Sequence, residues 1–362
     1  MSRGGVGYMR NKDEIFEEIE KLQLTGRVER DVNMSEQTSF RIGGPAELYF
    51  LPDSTHEIIA MAGFCKKNKV PLLVIGHGTN LLVDDGGIQG MVMKVGGQLG
   101  GMRLEGTRLI AEAGASISEA AKFARAHGLT GMEFAYGIPG TVGGAVYMNA
   151  GAYGSEISAV VSRTVFLDEL LNVGIIDRDS HMFAYRFSCF QHTGKIILEV
   201  EFNLKVGDPQ TIQETMDDYL NRRKSSQPLD MPSAGSVFRR PEGQFVGPMI
   251  EQCGLKGFKI GNAQVSEKHA GFIVNTGGAK ASDVRALIEH IRNCVNKQFA
   301  VQLETEIRLV GKVDPVKTGN RKPDAIKPTK GKPDAIKPVK KEHDSEKPNN
   351  KGKSDKESRA KK

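Results

Sequence analysis

Ile15, Phe16, Ile19 and Leu22 stand at helical spacing in an otherwise charged opening stretch, so residues 12–24 are expected to form a short amphipathic helix. Ser54 lies three residues before Glu57, the signature of a capping box, and the apolar run Val70–Ile75 that follows reads as a strand. That strand ends at a glycine-rich turn. GMVMKV and RLIAEAG predict two more short strands, and Ser116 with Glu119 caps a helix that stops at Gly128. Strand, turn and helix recur in that order.

Residues 159–206 change character, with VVSRTVFLD, VGIID and KIILEVEFNL as three strand-like runs. From Pro209 a long helix, TIQETMDDYLNRRKSS, leads into QPLDMPSAGSVFRRPEG, whose Pro and Gly predict an irregular loop. Val284, Leu287, Ile288, Ile291 and Val295 mark the apolar face of a further helix. The closing VQLETEIRLVG alternates Val301, Leu303, Thr305, Ile307 and Leu309 against Gln302, Glu304, Glu306 and Arg308, which predicts a strand with one packed face and one free face. The boundaries that follow are a domain over 1–206, divided into two lobes near residue 100, a second domain over 207–311, and a tail over 312–362.

With 362 residues, 39% hydrophobic and 26% charged, the chain has ordinary soluble composition and room for two or three domains. Its net charge of +6 suggests a nucleic-acid partner until the charges are located. Residues 312–362 carry 17 basic and 8 acidic side chains, which leaves 33 basic and 36 acidic in the rest. The basicity therefore belongs to the tail, and no nucleic acid is expected as a partner of the folded part. The tail holds KPDAIKP twice, at 322–328 and 332–338, with few apolar residues, and is expected to be disordered. Cys65, Cys189, Cys253 and Cys294 form no CxxC pair, so reduced thiols are expected, and no metal site. The start becomes charged where a signal peptide would be apolar, and no run approaches 18 apolar residues. A cytoplasmic protein without membrane insertion is the expectation, with translation starting at Met1 or Met9.

Two stretches carry candidate chemistry. Gly76-His77-Gly78-Thr79-Asn80 follows a strand, where glycines let amide groups converge on an anion and Thr79 and Asn80 add donors. It is not a dinucleotide fingerprint, because Leu81 occupies the last glycine position. The second stretch runs from Gly137 to Gly154 and has six glycines in 18 residues, interrupting what would otherwise be a buried helix. Two such turns suit a cofactor that bears a pyrophosphate.

Taken in order, SFRIGGPA from Ser39, GHGTNLL, GIPGTVGGAVYMNAGAYG, PSAGSVFRRP, KHAGFIVN and LETEIRLVG resemble the UDP-N-acetylenolpyruvoylglucosamine reductases over roughly residues 20–311. The resemblance implies an α+β protein: a two-lobed FAD-binding domain of the vanillyl-alcohol-oxidase (PCMH) type and a C-terminal α+β substrate domain. It implies noncovalent FAD, NADPH as hydride donor, and the enolpyruvyl ether of UDP-N-acetylglucosamine as substrate, reduced to UDP-N-acetylmuramate. By the match of blocks, Gly76, His77, Gly78, Thr79 and Asn80 hold the cofactor together with Gly137, Gly140, Thr141, Gly143 and Gly144, and Arg41 and Gly43 line the same pocket. A monomer is expected. The short 154–210 stretch resembles the loop-lacking, type II subgroup.

The reaction so implied delivers hydride to C3 of the vinyl ether and a proton to C2, beside a carboxylate, so the site needs a proton donor and a cation. By position in the family's motifs, Ser236 is the donor, while Arg186 and Glu306 stabilise charge and supply a second acid. Alternation cannot choose between Glu304 and Glu306; only the family pattern favours Glu306. Arg223, Gln227, Arg240 and His269 are the expected substrate-binding residues, with Arg239 a further candidate to grip the diphosphate. A different flavin oxidoreductase, or a nucleic-acid binder using the tail, are the rival readings.

Overall fold

A computed structural model describes residues 11–311; the tail and both candidate starting methionines lie outside the described residues. Helix α1 (Lys12–Glu20) opens on Asn11, whose side chain accepts from the Asp13 amide. It ends short of the expected residue 24, because the chain turns left-handed at Gln23 (φ 54°) to enter the first sheet, leaving Leu22 exposed.

That sheet contains β1 (Arg27–Asn33), β2 (Pro45–Leu51), β3 (Leu72–Ile75) and β5 (Ile88–Lys94) in the order β1-β2-β5-β3; β4 (Leu81–Val83) lies outside it. Strands β2 and β3 run parallel to β5, with α2 (Thr55–Asn68) as the crossover between β2 and β3. The carboxyl end of β3 thus delivers the first glycine turn, the position at which open parallel sheets bind ligands. One sheet face buries Leu48, Phe50, Met91 and Met93 with Ile58 and Met61 of α2; the other buries Tyr49, Val92 and Met34.

The predicted capping box forms by half. Ser54 accepts from the Glu57 amide, but the Glu57 carboxylate reaches elsewhere, accepting from Thr25, from the Gly26 amide and from the Asp53 amide. A buried carboxylate is stabilised by several donors, and here it also ties α2 to the start of β1.

The second sheet is antiparallel and holds β6 (Met102–Glu105), β7 (Arg108–Glu112), β8 (Val161–Leu167), β9 (Val173–Asp177) and β10 (Ile196–Asn203), in the order β9-β8-β10-β7-β6. Helices α3 (Ile117–Ala126) and α4 (Val142–Tyr147) lie between β7 and β8 in sequence. The run 137–154 is therefore not one interrupted helix: Thr141 caps a helix of only six residues, its hydroxyl accepting from the Gly144 amide.

His181 is fully buried under this sheet. Its Nδ1 lies 2.9 Å from the Asp177 carbonyl, which can only accept, so Nε2 accepts from the Thr164 hydroxyl at 2.7 Å. The ring is held neutral, and burial pushes its pKa below the ordinary 6.5. Below that value the unfolded chain binds a proton that the folded chain refuses, so stability is lost as pH falls. Thermal unfolding followed from pH 7.5 to 5 should lose up to about 1.4 kcal/mol per pH unit from this group once below pH 6.5. A flat profile contradicts the assignment.

The C-terminal part comprises α5 (Pro209–Ser226), β11 (Ser233–Ser236), α6 (Val246–Gln252), β12 (Lys259–Ile260), β13 (Ala263–Val265), β14 (Phe272–Asn275), α7 (Ala281–Phe299) and β15 (Arg308–Val310). Four of its strands form a sheet in the order β11-β14-β13-β12, and the five predicted apolar residues of α7 are all buried in the adjoining core. Two expectations change. The supposed irregular loop contains β11, because Ser233 and Ser236 pair with Val274 and Phe272 of β14 despite the nearby prolines. The closing strand shrinks to β15, which pairs in parallel with β4, plus an isolated bridge between Thr305 and Phe238. Breaking the strand at 304–307 frees Leu303 and Ile307 to bury while Leu309 stays 47% exposed.

Candidate active site

The two glycine turns meet. Thr79 donates its hydroxyl to the Pro139 carbonyl at 3.2 Å, and a Cβ placed on Gly76 would fall 2.3 Å from the Thr141 hydroxyl oxygen. Any side chain at residue 76 would force the turns apart, so glycine there is a packing requirement. Gly78 needs its freedom for a second reason, a left-handed φ of 66°. The amide groups of His77, Gly78 and Thr79 donate to no acceptor among the described residues. Converging amides without protein acceptors fit an anionic group such as a diphosphate. Burial pushes the His77 pKa down, with Lys94 adding to the effect, so its ring adds no positive charge to this cradle.

Arg41 and Gly43 line an open cleft of about 580 Å³ with Asn33, Asp85, Lys280 and Ser282, and neither glycine turn borders that cleft. The segment just before them does reach the first turn, through the Ser39 amide to the Gly78 carbonyl at 3.3 Å. It is also fastened to the C-terminal sheet: the Ser39 hydroxyl donates to the Ser233 carbonyl at 2.7 Å, and the Asn275 amide donates to Phe40 and Arg41 carbonyls.

Arg186, Ser236 and Glu306 come from three distant parts of the chain; Arg186 and Glu306 pair directly, and Glu306 bonds to the residue that follows Ser236. Arg186 sits at the apex of a tight turn closed by paired hydrogen bonds between Ala184 and Phe187, with a left-handed φ of 53°. Such a backbone state in a non-glycine residue costs about 1 to 3 kcal/mol and needs outside support. Buried Asn149 supplies it by donating to the Ala184 carbonyl at 3.0 Å, and Gln191 by donating to the Arg186 carbonyl at 2.8 Å. The guanidinium then donates through Nε to Glu306 at 2.8 Å and through Nη2 to the Gly151 carbonyl at 3.2 Å.

Glu306 is held on its own side as well. Its amide donates to the Val237 carbonyl at 2.8 Å, and its carbonyl accepts from Asn80 at 3.2 Å. Val237 follows Ser236 directly, so the backbone beside the serine, the backbone of Glu306 and the first glycine turn are linked by hydrogen bonds. Gly235, at φ 80° with open space around it, turns the strand so that Ser236 can pair with Phe272. The Glu306 side chain is 13% exposed, whereas Glu304 is exposed; the broken strand separates two residues that simple alternation placed on one face. Burial pushes the Glu306 pKa up, opposed by Arg186, Arg239 and Arg240.

Arg223 is 7% exposed, and its Nε has no partner. Its Nη1 donates to Gln227 at 3.3 Å, and its guanidinium lies 5.8 Å from the Tyr153 ring. A buried guanidinium left part-satisfied is an opening for an oxyanion. His269 accepts at Nδ1 from the Gly271 amide at 3.1 Å, which leaves Nε2 as its donor. Burial pushes its pKa down, so it offers a hydrogen bond and no charge. Arg240 is exposed and donates its amide to the Tyr185 hydroxyl at 3.3 Å.

Sequence reasoning missed Asn149, Gln191 and Asn275, the residues that hold the turns in place. Their signals were weak, since each is a single amide in an unremarkable context. Tyr153 lay inside a quoted motif without a role; it stacks on Tyr219 at 4.3 Å and donates to the Tyr219 carbonyl, fixing α5 and hence Arg223.

Both parts of the chain match known proteins. Residues 227–310 match the model of the UDP-N-acetylenolpyruvoylglucosamine reductase C-terminal domain, and residues 46–175 match an FAD binding domain. The chain is 46% identical over 298 residues to a UDP-N-acetylenolpyruvoylglucosamine reductase of Caldanaerobacter subterraneus subsp. tengcongensis, covering 82% of this chain and 98% of that one. A protein of the same name from Clostridium beijerinckii is 45% identical over 292 residues, covering 81% and 96%. The crystal structure of the reductase from Thermus caldophilus superposes with a TM-score of 0.69 at 32% identity, covering 78% of this chain and 99% of that one.

Proposed function

The chain belongs to the UDP-N-acetylenolpyruvoylglucosamine reductase family, and from that membership we infer that it reduces the enolpyruvyl ether of UDP-N-acetylglucosamine enolpyruvate to UDP-N-acetylmuramate, a step of peptidoglycan precursor synthesis. It is an oxidoreductase and flavoprotein that uses FAD and NADPH. The observation that carries the reading is the pairing of Arg186 with Glu306, itself bonded to the residue that follows Ser236, beside the paired glycine turns. No described helix is long and apolar enough to cross a membrane. One chain supplies all three residues, in keeping with an enzyme that acts as a monomer.

FAD supplies, when bound, the hydride relay between NADPH and C3 of the substrate. The amides of residues 77–79 would hold its diphosphate, with Thr79 and Asn80 and the Gly137–Gly144 segment as the neighbouring parts of that site. Arg41 and Gly43 enter this assignment through the motif match; Ser39 connects their segment to Gly78.

The protein's own groups then manage charge and the proton. Arg186 faces the carboxylate of the enolpyruvyl group, next to the carbon where negative charge develops, and Glu306 holds it in that position. Ser236 holds the proton for C2 at its hydroxyl. A serine hydroxyl is a weak acid, so it donates only where the resulting charge is stabilised, a role that falls to the Arg186 guanidinium. Arg223 with Gln227, and His269 as a neutral donor, bind the rest of the nucleotide sugar. The FAD-binding lobes extend to about residue 206 and the substrate domain from 207 to 311.

A two-stage assay tests the function. The purified protein should be yellow and release FAD on denaturation; NADPH should bleach it, and UDP-N-acetylglucosamine enolpyruvate should restore the colour. Bleaching without recovery on that substrate, but with recovery on another acceptor, would favour a different flavin oxidoreductase.

A further inference from the structure

Lys94 ends β5 level with Ile75, the end of β3, and so stands on the carboxyl edge of the parallel strands where the first glycine turn begins. Its ammonium is half-buried and donates to the Gln37 side-chain oxygen at 3.0 Å, which also accepts from the Tyr49 hydroxyl at 3.0 Å. Gln37 borders the turn, since a Cβ placed on Gly78 would fall 2.5 Å from its carbonyl oxygen. No carboxylate pairs with Lys94 among the described residues; burial and the charge of Arg27 both push its pKa down. A lysine half out of water, with a second cation acting on it and a neutral amide oxygen as its partner, is costly to fold around. An apolar side chain of the same length would fill the place at lower cost.

The glycine turns lack what Lys94 holds. Residues 76–80 and 137–144 contain no lysine, arginine or acidic side chain, and the His77 ring, which feels the Lys94 charge, is kept neutral by burial. Arg41, the cation that the motif match adds, lines the cleft that neither turn borders. Amides alone would then face a group that carries two negative charges. We propose that Lys94 is a cation of the FAD site, its ammonium pairing with the cofactor's diphosphate beside the amides of residues 77–79. The proposal rests on the FAD reading and adds to that site a residue that no motif marked. The chemistry fits, because a lysine ammonium is a compact charge on a flexible stem with three donors, so it can keep Gln37 and take a phosphate oxygen as well. An anion there also offsets the repulsion from Arg27.

The test follows FAD leaving the full-length holoenzyme, read as the rise of flavin fluorescence after dilution. Lys94→Met keeps the length of the side chain and removes its charge; it should release FAD about tenfold faster or more, the worth of one charge-assisted hydrogen bond. Lys94→Gln should release it equally fast, and Lys94→Arg should restore the parent rate. Added salt should speed release from the parent more than from Lys94→Met, because only the parent has the ion pair to screen. Riboflavin, which has no phosphate, is the second probe, and parent and Lys94→Met should bind it alike after exchange for FAD. Parent-like FAD release from both uncharged variants overturns the proposal, and a raised KM for NADPH in those variants would place the anion on that substrate instead. Equal weakening of FAD and riboflavin also overturns it, since Lys94 would then support the turn through Gln37 alone. A parent protein that carries no flavin would sink the FAD reading itself and not merely this residue.

Discussion

Ser236→Ala should leave an enzyme that binds FAD and is bleached by NADPH at the parent rate, yet whose turnover of the enolpyruvyl substrate falls by about 10² to 10⁴-fold, the usual worth of a positioned general acid. The structural reason for expecting so clean a separation is that no hydrogen bond of the Ser236 hydroxyl is seen among the described residues. The residue is paired through its backbone to Phe272, and the link to Glu306 runs through the Val237 carbonyl, which alanine preserves. Stopped-flow spectroscopy with NADPH first and substrate second reads the two halves apart. A variant that recovers its colour at the parent rate would remove Ser236 from the proton path. Loss of flavin from the variant would show instead that the serine supports the fold.

Arg186→Met is the second large effect. Removing one member of a buried pair leaves the other uncompensated, and here the survivor is a carboxylate whose pKa burial has already raised. Glu306 is expected to respond by keeping its proton near neutral pH, so the protein folds but loses the charge that stabilises the developing anion. Loss of such an electrostatic group costs about 10² to 10³-fold in turnover. Folding stability should fall in Arg186→Met and recover in the double variant Arg186→Met with Glu306→Gln, because the two residues share one interaction. Turnover should not recover. If both single variants and the double variant unfold independently and additively, the pair is not coupled as the 2.8 Å contact indicates.

Much of the fold could be read from local pattern. The apolar spacing of α7 marked five residues that are all buried, and Ser54, Ser116 and the glycine after α3 punctuated helices where expected. These signals are legible because each depends on neighbours within one or two turns. The errors fall where distant segments intervene. Ser233–Ser236 looks like loop until β14 offers a partner, and the 301–311 run looks like one strand until β4 takes Arg308–Val310 and Phe238 takes Thr305.

The candidate site divides in the same way. Motif blocks brought Arg186, Ser236 and Glu306 to attention, since residue type and spacing survive in the linear chain. What the chain alone determined was a set of glycine turns, a basic tail separable from an acidic body, and a short list of groups able to donate a proton or hold charge. Only the tertiary structure set Glu306 apart from Glu304, pairing one with Arg186 and exposing the other, and held Arg186 in a left-handed turn through Asn149 and Gln191. That distinction depends on contacts between residues more than a hundred positions apart. Desolvation and hydrogen-bond geometry exist only once those segments meet, and no local propensity encodes them.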